Sequence, residues 1–113
     1  MTETQLSIRI EFKAGGKIGP GKIALLEAIR KTGSIMAAAK SMQMTYRGAW
    51  LHVDELNKLL AEPIVTTLIG GRHSGATLTP TGEKIIALYH SIEGRTRVAG
   101  RAELLALQKL MRS

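Results

Sequence analysis

The amino-acid sequence predicts a mainly α domain with a small antiparallel sheet, and three observations predict it. Between Ile23 and Leu60, apolar residues recur at helical spacing in three blocks, separated by Gly33 and by a short turn. The runs IVTTLI and ATLT then flank GGRHSG, the pattern of a hairpin with a glycine-rich, basic tip. Last, Thr79 followed by Pro80 marks the start of a closing helix.

Taken in order, the first element is a strand over about residues 5–12. Leu6, Ile8, Ile10 and Phe12 alternate there with Ser7, Arg9 and Glu11, the period of a half-buried strand. KAGGKIGPGK then breaks regular structure. A first helix follows on Ile23, Leu26 and Ile29 and stops at Gly33, and Ser34 caps a second, short helix over about 34–42. A turn at Gln43 and Met44 leads into a third helix over about 45–60, with Thr45 as its N-cap and Glu62-Pro63 ending it. The closing helix is expected from residue 80 towards the carboxyl terminus. One stripe of it carries Ile85, Leu88, Tyr89 and Ile92, a second apolar group holds Leu104, Leu105, Leu107 and Leu110, and Gly94 and Gly100 between them favour a break or joint.

Strand, three helices, two-stranded hairpin and helix, in that order, make a winged helix-turn-helix. The expected division is a DNA-binding domain over residues 1–93 and a helical extension over 94–113. The second and third helices of such a motif cross steeply, and the small side chains of Ala37, Ala38 and Ala39 suit a close approach. Gln43 holds the turn position where glycine is usual, and a left-handed backbone there costs a non-glycine residue about 1 kcal/mol.

At about 100° per residue, Ala49, Val53, Leu56 and Leu60 share one side of the third helix and should face the core. Arg47, Gly48, Leu51, Asp54 and Lys58 fall broadly opposite, and Trp50 is expected to seal the rim of the core. Recognition helices meet the major groove with their first turn, here Thr45, Tyr46, Arg47 and Gly48. Arg47 can donate two parallel hydrogen bonds to guanine O6 and N7, and Gly48 lets the backbone come close. Tyr46 suits either packing or a phosphate contact. Arg72 and His73 on the hairpin tip are candidates for a wing contact with phosphate or the minor groove. Ser34 at the start of the second helix and Lys40 at its end are candidates for the DNA backbone. Asp54 and Glu55 would repel phosphate, so only the first half of the third helix is expected to approach DNA closely.

Charge agrees with a polyanionic partner. Among 113 residues, 16 Lys and Arg against 9 Asp and Glu leave a net charge of +7, with a pI near 10.2. Residues 1–79 hold 10 basic and 6 acidic groups and residues 80–113 hold 6 and 3, so the charge is spread along the chain. Cysteine is absent, which excludes disulfides, thiolate zinc sites and cysteine nucleophiles. No membrane span or signal peptide is readable, and a cytoplasmic location is expected.

The segment Gly16 to Ile23, GKIGPGKI, is like a phosphate-binding loop, but Ile23 stands where a magnesium-holding Ser or Thr is needed. His52, His73 and His90 have no metal-ligand spacing, and no Ser-His-Asp arrangement is evident. No enzyme, metal or cofactor is expected, and no small-molecule effector is legible.

GKIALLEAIRKTGSIMAAAKSMQMTYRGAWLHVDELN, followed by EPIVTTLIGGRHSGATLTPTGEKIIALY, closely resembles the amino-terminal DNA-binding domain of the ModE-type molybdate-responsive transcriptional regulators. More distantly, it resembles the winged helix of LysR-type regulators. The resemblance covers about Leu6 to Glu93, and its most specific parts are TGSIMAAAK, YRGAW with VDELN behind it, and LTPTGE. It implies a dimeric repressor or activator on a palindromic operator near genes of molybdenum uptake or use. It also implies a dimer formed through the first and closing helices, making the latter a carboxyl-terminal dimerisation helix with Ile85, Leu88, Tyr89 and Ile92 in the interface. Full-length members carry a carboxyl-terminal oxyanion-binding domain that senses molybdate. This sequence stops at Ser113, so a regulator without that domain is the expectation. Two other readings stay open: a sequence-independent, nucleoid-like DNA-binding protein, and a winged-helix module that docks proteins.

Overall fold

Two glycines in the left-handed region, Gly15 at φ 96° and Gly16 at φ 94°, turn the amino-terminal segment back on itself. The computed structural model describes residues 4–68 and 75–112. The turn pairs β1 (Ile10–Glu11) with β2 (Lys17–Ile18) antiparallel, Ile10 opposite Ile18 and Glu11 opposite Lys17. The strand expected over 5–12 is therefore only two paired residues long, because its partner is no longer. That partner lies inside the stretch expected to be irregular.

α1 (Pro20–Thr32) opens with Pro20 in its first turn and buries Ile23, Leu25, Leu26 and Ile29. It ends at Gly33, whose φ of 72° lets its N–H reach the Ile29 carbonyl at 2.8 Å. Ser34 caps α2 (Ile35–Ser41), its Oγ accepting from the Ala37 N–H at 3.1 Å. α3 (Tyr46–Leu59) is capped by Thr45, whose Oγ1 accepts from Gly48 N–H at 3.0 Å. β3 (Val65–Leu68) and β4 (Gly75–Leu78) form the antiparallel hairpin, with Val65 opposite Leu78 and Leu68 opposite Gly75. Thr79 caps α4 (Pro80–Ala99) by accepting from Gly82 N–H at 3.1 Å, and α5 (Arg101–Leu110) follows.

The joint in the closing segment falls at Gly100. α4 runs unbroken through Gly94, where the ion pair of Glu93 with Arg97, 3.7 Å apart on successive turns, spans the glycine. A lone interior glycine costs a helix only about 1 kcal/mol, too little to end it.

The core lies where α1, α2, α3 and the root of the hairpin meet. Leu26, Ile29, Ala38, Ala49, Leu56 and Ile64 have no solvent exposure at all. Ala38 and Ala39 form the face of α2 that lets the other helices come close, whereas Ala37, expected to share that task, points to solvent. Tyr89 is 2% exposed, and its hydroxyl donates to the Ile8 carbonyl at 2.7 Å, pinning the amino-terminal segment to α4. Among the described residues, no helix is long and apolar enough to cross a membrane.

Candidate nucleic-acid interface

The site is built by the turn between α2 and α3. Met44 N–H donates to Ala39 O at 3.0 Å and Gln43 N–H to Lys40 O at 3.2 Å, the bond pair of a helix-ending motif whose middle residue must be left-handed. Gln43 takes that position at φ 56°, as the sequence led one to expect. Met42 and Met44 on either side pack against the core, which supplies the contacts that hold Gln43 there.

From this turn α3 emerges with Ala49, Val53 and Leu56 buried. Its first turn faces outwards: Thr45, Tyr46 and Arg47 are exposed, Tyr46 to the extent of 50%. Gly48 has a reason local to its own helix. A Cβ there would stand 3.0 Å from Thr45 Oγ1, crowding the capping hydroxyl. Ser34 uses its hydroxyl on its own helix, and Lys40 projects from the last turn of α2 into solvent. Arg72 and His73 lie outside the described residues.

Trp50 departs from its expected place. It is 43% exposed and, instead of sealing the core, lines an open depression with Tyr46, Arg47 and Leu51. Amphipathic geometry leaves a position about 90° from the core axis undecided, and here the ring turns to the outer side, beside Tyr46 and Leu51.

The acids of α3 are neutralised within the chain. Asp54 pairs with Lys58 at 2.9 Å, and Glu55 pairs with Lys22 at 2.5 Å. The Lys22 ammonium, by its hydrogen bond and its charge, holds the Glu55 carboxyl below the usual glutamate range. Lys22 also donates to the Lys17 carbonyl at 2.9 Å, so the lysine of the loop-like GKIGPGKI segment is engaged in joining α1 to α3.

Sequence reasoning missed the residues that root the hairpin. Asn57 Oδ1 accepts from the N–H groups of Ile64 and Val65 at 2.8 and 3.2 Å, and its Nδ2 donates to Val65 O at 3.1 Å. Thr79 Oγ1 donates to Pro63 O at 2.7 Å, and Gly82 lies so close to Ile64 that an added Cβ would overlap the Ile64 carbonyl oxygen. Ala76 N–H donates to Gly33 O at 2.9 Å, fixing β4 to the junction of α1 and α2. The signal lay in VDELN and LTPTGE, but the partners of these residues are distant in the chain.

The apolar stripe of α4 divides. Tyr89 belongs to the chain's own core and Ile85 packs against it, while Leu88 and Ile92 are 52% and 44% exposed. They border an apolar groove of about 480 Å³ shared with Ile10, Phe12 and Leu60. Among the described residues, no group of three His, Cys, Asp or Glu side chains could hold a metal ion.

A winged helix-turn-helix whose third helix has an exposed first turn and, further along, acids paired within the chain is the fold of DNA-binding regulatory domains, and comparison with known proteins agrees. Residues 21–83 match the bacterial regulatory helix-turn-helix protein, lysR family. The chain belongs to that family. It is 47% identical over 95 residues to the molybdenum-pterin-binding protein MopB of Rhodobacter capsulatus, covering 83% of this chain and 33% of that protein. It is 40% identical over 96 residues to the molybdenum transport protein ModE of Azotobacter vinelandii, covering 82% and 36%. The chain thus spans about a third of the length of these relatives. The fold is also that of the chain in the crystal structure of a CbnR_DBD-DNA complex, with TM-score 0.56 and 19% identity over 80% of this chain and 97% of that one. The expectation of a ModE-type, LysR-like winged helix holds.

Proposed function

We propose that the chain acts as the DNA-binding part of a transcriptional regulator that grips a palindromic operator as a homodimer. The observation that carries this is the first turn of α3. Tyr46 and Arg47 are exposed there while Ala49, Val53 and Leu56 on the other side are buried, so the turn is held rigidly outwards. In this reading Thr45, Tyr46, Arg47 and Gly48 enter the major groove, Arg47 reads a guanine, and Ser34 and Lys40 meet the backbone. Arg72 and His73 reach phosphate or the minor groove from the tip of the wing.

A homodimer is supported by apolar surface that the single chain leaves open. Leu88 and Ile92 on α4 are joined by Leu105, Leu107 and Leu110 on α5, which are 53%, 56% and 81% exposed. Kinship with proteins named for molybdenum transport and molybdenum-pterin binding supports target genes in molybdenum handling.

The experiment is a selection from random duplex DNA near physiological salt, with and without molybdate, alongside sedimentation equilibrium. An enriched palindrome with half-sites about one helical turn apart, ~34 Å or a multiple, supports the proposal. Affinity that falls steeply with salt but is equal on every sequence replaces it with sequence-independent binding, which the +7 charge alone would support. No affinity for DNA makes the domain a protein-docking module.

A further inference from the structure

Four side chains line one open depression on the outer face of α3: Tyr46, Arg47, Trp50 and Leu51. Three of them are large and apolar, and all three stand exposed, at 50%, 43% and 50% for Tyr46, Trp50 and Leu51. At about 100° per residue, Leu51 projects directly away from Ala49, Val53 and Leu56, the side that α3 buries. Single exposed apolar residues are common, but a contiguous set on the element that carries the recognition turn marks an interaction surface.

The depression is continuous with that turn, shares Arg47 with it, and belongs to a chain of net charge +7. These facts favour DNA as its occupant. The edges of base pairs in the major groove are polar with one exception, the C5-methyl group of thymine. We infer that Leu51 and Trp50, backed by the ring of Tyr46, bury thymine methyl groups, so that each half-site must hold thymine beside the base pair met by Arg47. This inference rests on the function proposed above and adds the base it selects. Its spacing follows from the helix. Four residues separate Arg47 from Leu51, a rise of about 6 Å, and DNA advances about 3.4 Å per base pair. The thymine therefore lies within about two base pairs of the one met by Arg47.

The test uses the selected operator with each thymine replaced in turn by deoxyuridine, which removes the methyl group and leaves every hydrogen-bonding edge intact. At one or more positions per half-site, affinity should fall about three- to fivefold, the effect of burying one methyl-sized group. Leu51→Ala or Trp50→Ala should bind the thymine and deoxyuridine operators equally, whereas Arg47→Ala should keep the difference. Both variants change exposed side chains, and an unchanged melting temperature confirms their fold. Specific binding that is indifferent to deoxyuridine at every position overturns the methyl contact alone. So does a deoxyuridine effect that survives in Leu51→Ala and Trp50→Ala. A selection that enriches no site at all overturns the proposed function, and this inference with it.

Discussion

The side-chain amide of Asn57 brackets the backbone of Val65. Its Oδ1 accepts from the Val65 N–H at 3.2 Å and its Nδ2 donates to the Val65 carbonyl at 3.1 Å, as one strand of a sheet would do to another. The recognition helix and the wing are thereby joined at their roots by one residue. Asn57→Ala would leave partly buried backbone groups unpaired and should cost about 1–3 kcal/mol in chemical denaturation. A loss below about 0.5 kcal/mol would mean that water satisfies those groups equally well.

Gln43 sits at φ 56° between α2 and α3. Gln43→Gly should relieve that strain and raise stability by about 0.5–1 kcal/mol, visible as a higher melting temperature. A lower one would show that the glutamine side chain contributes more than its backbone costs.

Two glycines of α4 should respond in opposite directions. Gly82→Ala sets a methyl group against the Ile64 carbonyl oxygen and should destabilise by at least about 2 kcal/mol, whereas a Cβ on Gly94 meets nothing within 4 Å. Gly94→Ala should stabilise by about 0.5–1 kcal/mol by removing a helix-interior glycine. Equal effects at the two sites, measured by denaturant midpoint, would contradict the close approach at Gly82.

The pair of Lys22 and Glu55 makes stability depend on acid pH. Lys22 holds the Glu55 carboxyl below its ordinary pKa. The folded state thus favours the ionised form, and the pair's contribution is present above the ordinary glutamate range and lost as pH falls through it and below. Glu55 is half exposed, so the contribution should also shrink with added salt. Glu55→Gln should flatten the acid limb of a plot of melting temperature against pH. An unchanged limb would assign acid sensitivity to other carboxylates.

Arg47→Ala should cost about 1–3 kcal/mol on the selected operator and relax the preference at one base pair, with a much smaller loss on random duplex. Equal losses on both would make Arg47 a phosphate contact.

What the sequence made legible was local. Ser34, Thr45 and Thr79 act as caps with partners three residues away, and Gln43 takes the left-handed turn because helix ends follow short-range rules. What it hid depends on residues far apart in the chain. Lys22 finds Glu55 across 33 residues, and Tyr89 finds Ile8 across 81, so one ties two helices together and the other ties the amino-terminal segment to α4. β2 was hidden for a different reason, since two residues are too few to show a period, whereas β1 lies inside the strand read from alternation over 5–12. Trp50 was misplaced because a position about 90° from the centre of the apolar face can turn its side chain inwards or outwards, and the helix wheel does not say which.

Gly33 is where three parts of the molecule share one peptide unit: it ends α1, precedes the cap of α2, and offers its carbonyl to Ala76 of β4. That makes the residue a poor target and its surroundings a useful guide for anyone re-engineering the domain. A graft that alters the hairpin should leave Ala76 and Val65 in place, since they carry its bonds to Gly33 and Asn57. A graft that disturbs Gly33 would change the stability of the scaffold and the aim of the wing together, and no assay of DNA preference could then tell the two apart.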